Sequence, residues 1–127
     1  MSELPLTYRG AVYPWHCDHV GHMNVMYYTG KFDEATWNLF AMLGITPGFL
    51  RENGRGMAAV EQKTKYLREL HAGDIVTIHS RLIELEGKKI RFVHEMVNGE
   101  TMELAATSEL FGLHLDTNIR KSCPFPD

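Results

Sequence analysis

Apolar residues recur at every third or fourth position between Asn24 and Leu43: Tyr28, Phe32, Ala35, Leu39 and Leu43. That spacing predicts a helix with one buried stripe. Asn24 suits its N-cap, because a side-chain oxygen there can accept from the free N–H groups of the first turn. Gly44 suits the C-terminal cap, with Pro47 just beyond. Gly30 lies inside the helix and should cost stability relative to alanine. Ahead of the helix, Leu6 to Val12 reads as a strand closed off by Pro14, and Trp15 to Asn24 reads as a histidine-rich turn. Behind it, Ile45 to Gly56 carries Pro47, Gly48, Asn53, Gly54 and Gly56 and reads as a loop.

Four strands are expected from there on. Met57 to Leu67 sets Val60, Gln62, Thr64 and Tyr66 on one face and Glu61, Lys63 and Lys65 on the other. Ile75 to Leu85 follows a turn at Ala72-Gly73-Asp74, and Lys89 to Val97 follows one at Glu86-Gly87-Lys88. Met102 to Leu115 follows Asn98-Gly99, a pair suited to a tight hairpin because both residues tolerate positive φ. One helix followed by hairpin-linked strands argues for an α+β domain in which an antiparallel sheet covers the helix stripe.

The bulk properties narrow the function. The 127 residues suit one domain with one core, and 44% hydrophobic with 23% charged residues is ordinary for a globular chain. A formal charge of −3 gives no basic surplus of the kind a duplex nucleic-acid binder carries. Two cysteines, Cys17 and Cys123, make no disulfide framework. The opening Met1-Ser2-Glu3-Leu4-Pro5 lacks the apolar core of a secretory leader, and no run is long enough to span a bilayer. A reducing cytoplasm is the expected setting.

The chemistry is concentrated in Trp15-His16-Cys17-Asp18-His19-Val20-Gly21-His22-Met23-Asn24-Val25-Met26-Tyr27-Tyr28. One carboxylate, three imidazoles and a thiol stand just ahead of a helix start, where unpaired N–H groups and the dipole favour a developing oxyanion. Asp18 is the only acid in the segment. It can act as a base toward water or as a nucleophile toward a carbonyl.

Asp18-x-x-Gly21-His22-x-Asn24-x-x-x-Tyr28, with Phe32 and Glu34 following on the helix, resembles the signature of 4-hydroxybenzoyl-CoA-type thioesterases of the hot-dog superfamily. Tyr66-Leu67-Arg68, Gly73-Asp74-Ile75-Val76, Leu115-Asp116 and Arg120-Lys121 extend the resemblance over nearly the whole chain. It implies a hot-dog fold over residues 1–127, a long central helix wrapped by a curved antiparallel sheet. It implies acyl-CoA hydrolysis with Asp18 as the catalytic carboxylate and the backbone N–H near Val25 as the oxyanion donor. CoA is then part of the substrate, and no separate cofactor is expected. The resemblance further implies a homodimer joined edge to edge, with the site between subunits, and further pairing into a tetramer. His16 stands where many relatives carry a second acid, and Val25 where many carry a second asparagine. Relatives often add a short final helix past the point where this chain ends, at Pro126-Asp127.

Each candidate has a plainer role beside the functional one. Asp18 could simply serve a turn. His22 could pin the loop, or orient water or Asp18. Asn24 could be a cap alone. The helical spacing of Tyr28 points to the core, while Trp15, Tyr27, Tyr28 and Trp37 could line an acyl pocket for aromatic or cationic groups. Glu34 is a second candidate acid. Cys17 as nucleophile lacks a supporting Cys–His–Asn pattern. Lys88, Lys89, Arg91, Arg120 and Lys121 are basic residues that could meet CoA phosphates or simply be solvated.

Three other readings stand beside hydrolysis. His16, Cys17, Asp18, His19 and His22 resemble a zinc ligand set, although neighbours in sequence such as His16 and Cys17 rarely point inward together. A hot-dog module could bind acyl-CoA without cleaving it. A hot-dog hydratase would pair an acid with a histidine in a different local pattern.

Overall fold

The computed structural model describes residues 4–126. The opening Met1–Glu3 and the final Asp127, which entered the readings of the two chain ends, lie outside the described residues. The chain forms β1 (Leu6–Ala11), a short 3-10 turn (Pro14–His16), α1 (Val25–Met42), α2 (Pro47–Asn53), β2 (Arg55–Tyr66), β3 (Ile75–Glu86), β4 (Lys89–Asn98), β5 (Leu104–Asp116) and β6 (Lys121–Ser122). The main strands lie in the order β1-β3-β4-β5-β2, every pair antiparallel, and β6 adds a short pairing to β5.

α1 forms where the spacing predicted it. Asn24 caps it, its side-chain oxygen accepting from the Met26 N–H at 2.9 Å. Tyr28, Phe32, Ala35 and Leu39 are buried, and Leu43 is partly so. Phe32 is 1% exposed; covering such a ring contributes about 1.5–3 kcal/mol. Met96, Ile78 and Ala106 from three strands share its cluster, while Leu39 and Phe40 pack with Ile90, Phe92 and Leu50 further along.

Three local expectations are corrected. Residues 47–53, read as a loop, form α2. The Thr46 hydroxyl caps this helix by accepting from the Phe49 N–H at 3.1 Å, and Pro47 occupies its first turn. Val60 does not continue the alternation of β2: the register with β5 slips between Ala59 and Glu61, so Val60 sits in a bulge and is exposed. Beyond it Gln62 and Thr64 resume the inner face and reach the Ser108 hydroxyl at 3.1 and 3.2 Å. Asn98-Gly99 is not a two-residue turn; the loop runs to Glu103, with the Asn98 side chain accepting from the N–H groups of Glu100 and Thr101. The tight hairpin is at Gly87-Lys88, closed by Glu86 opposite Lys89, where Gly87 takes φ 63.

The sheet also buries a polar row. The hydroxyls of Thr7 and Ser80 lie 2.7 Å apart, Ser80 Oγ is 2.6 Å from His94 Nδ1, and His94 Nε2 is 2.8 Å from Thr36 Oγ1 on α1. Phe32 stacks on the His94 ring, the planes 8° apart. Burial pushes the His94 pKa down to about 4, so the ring is neutral at ordinary pH.

Candidate active site

The segment ahead of α1 is a small hairpin. Cys17 and Met23 pair across it, the Asp18 N–H donates to the His22 carbonyl at 3.3 Å, and the Gly21 N–H donates to the Asp18 carbonyl at 3.0 Å. Gly21 turns the chain at φ 100, a left-handed conformation that a side chain would strain. The hairpin is anchored from behind by the Met23 N–H on the Leu70 carbonyl at 2.7 Å.

This fold brings Asp18 to the cap of α1. One carboxylate oxygen accepts from the Val20 N–H at 2.9 Å and the other from Asn24 Nδ2 at 2.8 Å. The Asn24 hydrogen bond, with the Val20 N–H behind it, holds the Asp18 carboxyl below the usual carboxylate range. Asn24 therefore uses one end of its amide to cap the helix and the other to hold the acid. The Met26 N–H is occupied by that cap, whereas the Val25 N–H has no acceptor among the described residues, on an exposed residue. A free N–H at a helix start can receive an oxyanion.

A hollow of about 210 Å³ opens beside Val25, between the start of α1 and the chain leaving β2. His22, Met23, Val25, Tyr28, Tyr66, Leu67, Arg68 and Glu69 line it. Asp18 and Asn24 are not in its wall; Asn24, which holds Asp18, directly precedes Val25. Tyr28 is buried, donates its hydroxyl to the Arg68 carbonyl at 3.2 Å, and meets the Tyr66 ring edge-on at 5.1 Å. Burial pushes the Tyr28 phenol pKa up. His22 makes no hydrogen bond to Asp18; its Nε2 stands 3.6 Å from Glu69 Oε2.

The remaining candidates are scattered. Trp15 is 66% exposed and stacks flat on Tyr13, with ring centres 4.6 Å apart. Tyr27 lies against His16 at the same separation, and His16 Nδ1 accepts from the Tyr13 N–H at 3.0 Å. Burial, with Lys31 nearby, lowers the His16 pKa. Trp15 and Tyr27 thus form an aromatic cluster apart from the hollow that Tyr28 lines. Trp37 lines a second cavity of about 180 Å³ between α1 and strands β2, β4 and β5, together with Thr29, Asp33 and Phe92. Glu34 is exposed on α1. Among the described residues no three His, Cys, Asp or Glu side chains converge as a metal site. Glu69 was not singled out from the sequence; only the tertiary fold brings it to the start of α1.

Comparison with known proteins adds kinship to this geometry. The family model described as "Thioesterase-like superfamily" matches residues 12–127. A betainyl-CoA thioesterase of Pseudomonas aeruginosa is 26% identical over 125 residues, 98% of this chain and 79% of that protein. An L-carnitine dehydrogenase/betainyl-CoA thioesterase of Ruegeria pomeroyi is 31% identical over 111 residues, 87% of this chain. The chain spans only 22% of that relative's length. Among solved structures, a Staphylococcus aureus protein in complex with CoA superposes with a TM-score of 0.91 at 22% identity, over 99% of this chain and 80% of that one. A 1,4-dihydroxy-2-naphthoyl-CoA thioesterase from Synechocystis gives a TM-score of 0.84 at 16% identity, over 95% of this chain and 89% of that one.

Proposed function

The chain belongs to the thioesterase-like superfamily and has its hot-dog fold, and on that premise we propose that it hydrolyses an acyl-CoA thioester at the start of α1. The observation that carries this reading is the pairing of an ionised Asp18, held by Asn24 and Val20, with an unclaimed N–H at Val25. The thioester carbonyl oxygen points at the Val25 N–H, which stabilises the charge that develops there. Two routes lead on. In the first, Asp18 takes a proton from water, and the hydroxide adds to the carbonyl carbon. The tetrahedral adduct then collapses, the carbon–sulfur bond breaks, and the CoA thiolate leaves with the proton from Asp18. In the second, a carboxylate oxygen of Asp18 adds directly and CoA thiolate departs. Water then opens the resulting anhydride by adding to the Asp18 side-chain carbonyl carbon, which releases the acyl group as free acid and restores the carboxylate. A carboxylate held at low pKa is a weak proton acceptor, which favours the second route. A single turnover in heavy-oxygen water distinguishes them, since only direct attack leaves the label in the Asp18 side chain.

The kinship with betainyl-CoA thioesterases supports a short acyl group bearing a fixed positive charge as the substrate class. CoA enters as part of that substrate, and no other cofactor takes part. A second copy of the chain pairs along β2, a twelve-residue sheet edge that exposes Val60 and ends at Tyr66 beside the site.

Asp18→Asn tests the proposal, because it removes the base or nucleophile and nearly preserves shape. Free-thiol release from a panel of acyl-CoAs should fall by about a hundredfold to ten-thousandfold. Full activity in that variant would sink the mechanism.

A further inference from the structure

We propose that Glu69, with the rings of Tyr28 and Tyr66, is the subsite that reads a positive charge next to the thioester carbonyl. This rests on the hydrolase reading above and assigns the residues that give it its selectivity. Glu69 has no permanently charged partner among the described residues: its oxygens stand 3.6 Å from His22 Nε2 and 3.6 Å from His71 Nε2. The neighbouring guanidinium of Arg68 is turned to Glu103 instead, at 3.7 Å. The carboxylate thus lacks a fixed counter-ion, and it borders a hollow walled by two phenol rings. Tyr66 is 49% exposed there, while the Tyr28 hydroxyl bond to Arg68 holds the ring against which Tyr66 packs. A carboxylate beside aromatic surface suits a quaternary ammonium, which is charged but has an apolar shell that the ring electrons attract. The volume of about 210 Å³ takes such a compact group, since a cavity of about 150 Å³ holds benzene.

Position along α1 separates this hollow from the second cavity, at Asp33. A charge two bonds from the carbonyl carbon must be met close to the oxyanion donor. Val25 is in the wall of the Glu69 hollow. Asp33 lies eight residues further along α1, about 12 Å down its axis at the helical rise, and the second cavity begins at Thr29, about 6 Å down. A group short enough to sit at Glu69 therefore does not reach Asp33.

The test compares trimethylammonioacetyl-CoA with its neutral carbon isostere, tert-butylacetyl-CoA, which has the same shape without the charge. Wild type should favour the cation in kcat/KM, and Glu69→Gln should reduce that preference by about fivefold or more. Tyr66→Leu should reduce it as well. A wild-type ratio near one overturns the assignment, as does an unchanged ratio in a Glu69→Gln protein that melts like wild type. Calorimetric titration of both esters into Asp18→Asn, with and without Glu69→Gln, reads the same preference without turnover. Charge-selective binding that depends on Glu69, in a wild type that cleaves neither ester, retains the subsite and removes the hydrolase reading. Cleavage of both esters without charge preference does the reverse.

Discussion

At the residue scale, Asn24 serves two structures at once. Its Oδ1 caps α1 through Met26, and its Nδ2 holds Asp18. Asn24→Ala should therefore have two separable effects. Loss of the cap should cost about 1 kcal/mol in denaturant unfolding. Loss of the donor should raise the Asp18 pKa, because the native value is depressed chiefly by that bond. Asp18 must be ionised to act, so the acid limb of kcat/KM against pH should move upward. An unmoved limb would show that Asn24 does not set the acid. The cap was legible in the sequence, since an asparagine just ahead of a periodic apolar run is a local signal. The contact between Asp18 and Asn24 was not, because it depends on the hairpin closed at Gly21. Glu69 was less legible still: it precedes the buried Leu70, whose carbonyl anchors Met23, and nothing local marks that arrangement.

At the element scale, α1 followed from its spacing because a single stripe meets a single sheet. Phe32 sits at the middle of that contact, against His94 and Met96. Phe32→Ala should destabilise the fold by about 3–5 kcal/mol in chemical denaturation, the range for a buried aromatic truncated to alanine. A loss below 1 kcal/mol would mean that the sheet closes over the gap. α2 was missed because its punctuation was taken for loop. Thr46, Pro47 and Gly54 are cap, first-turn residue and stop signal, and the seven residues Pro47–Asn53 are too few to show a clear period. The loop at Asn98, wider than the two-residue turn expected there, has a similar cause. Asn98 favours a turn, but its side chain folds the backbone through Glu100 and Thr101 into a wider loop, while Gly87 supplies the conformation a two-residue turn needs.

For the whole molecule, the polar row joins layers that would otherwise meet only through apolar contact. Thr7 is on β1, Ser80 on β3, His94 on β4 and Thr36 on α1. The strand expected over Lys89 to Val97 located His94 in the sheet, but not its two polar partners, Ser80 and Thr36, which come from distant segments. This row makes stability depend on pH. The His94 pKa is about 4 in the fold against 6.5 when exposed, so between those values the unfolded chain binds more protons. Stability is therefore complete above pH 6.5 and is lost as pH falls toward 4, by about 3 kcal/mol in all. Unfolding free energies at several pH values should show this slope, and His94→Gln should flatten it. An equal slope in that variant would assign the acid sensitivity to other groups whose pKa the fold lowers, such as His16 and Asp18.

The same row holds fewer hydrogens than contacts. Thr7 donates its hydrogen to the Ile78 carbonyl and Thr36 donates its own to Phe32. The Ser80 hydroxyl and the neutral His94 ring then bring two hydrogens to three contacts, namely Thr7–Ser80, Ser80–His94 and His94–Thr36. One contact goes unserved, and either ring nitrogen can carry the proton without altering the count. Thr7→Val removes the surplus contact. It leaves Ser80 donating to Nδ1 and Nε2–H donating to Thr36, so the imidazole settles into one tautomer, which its ring-nitrogen chemical shifts would display.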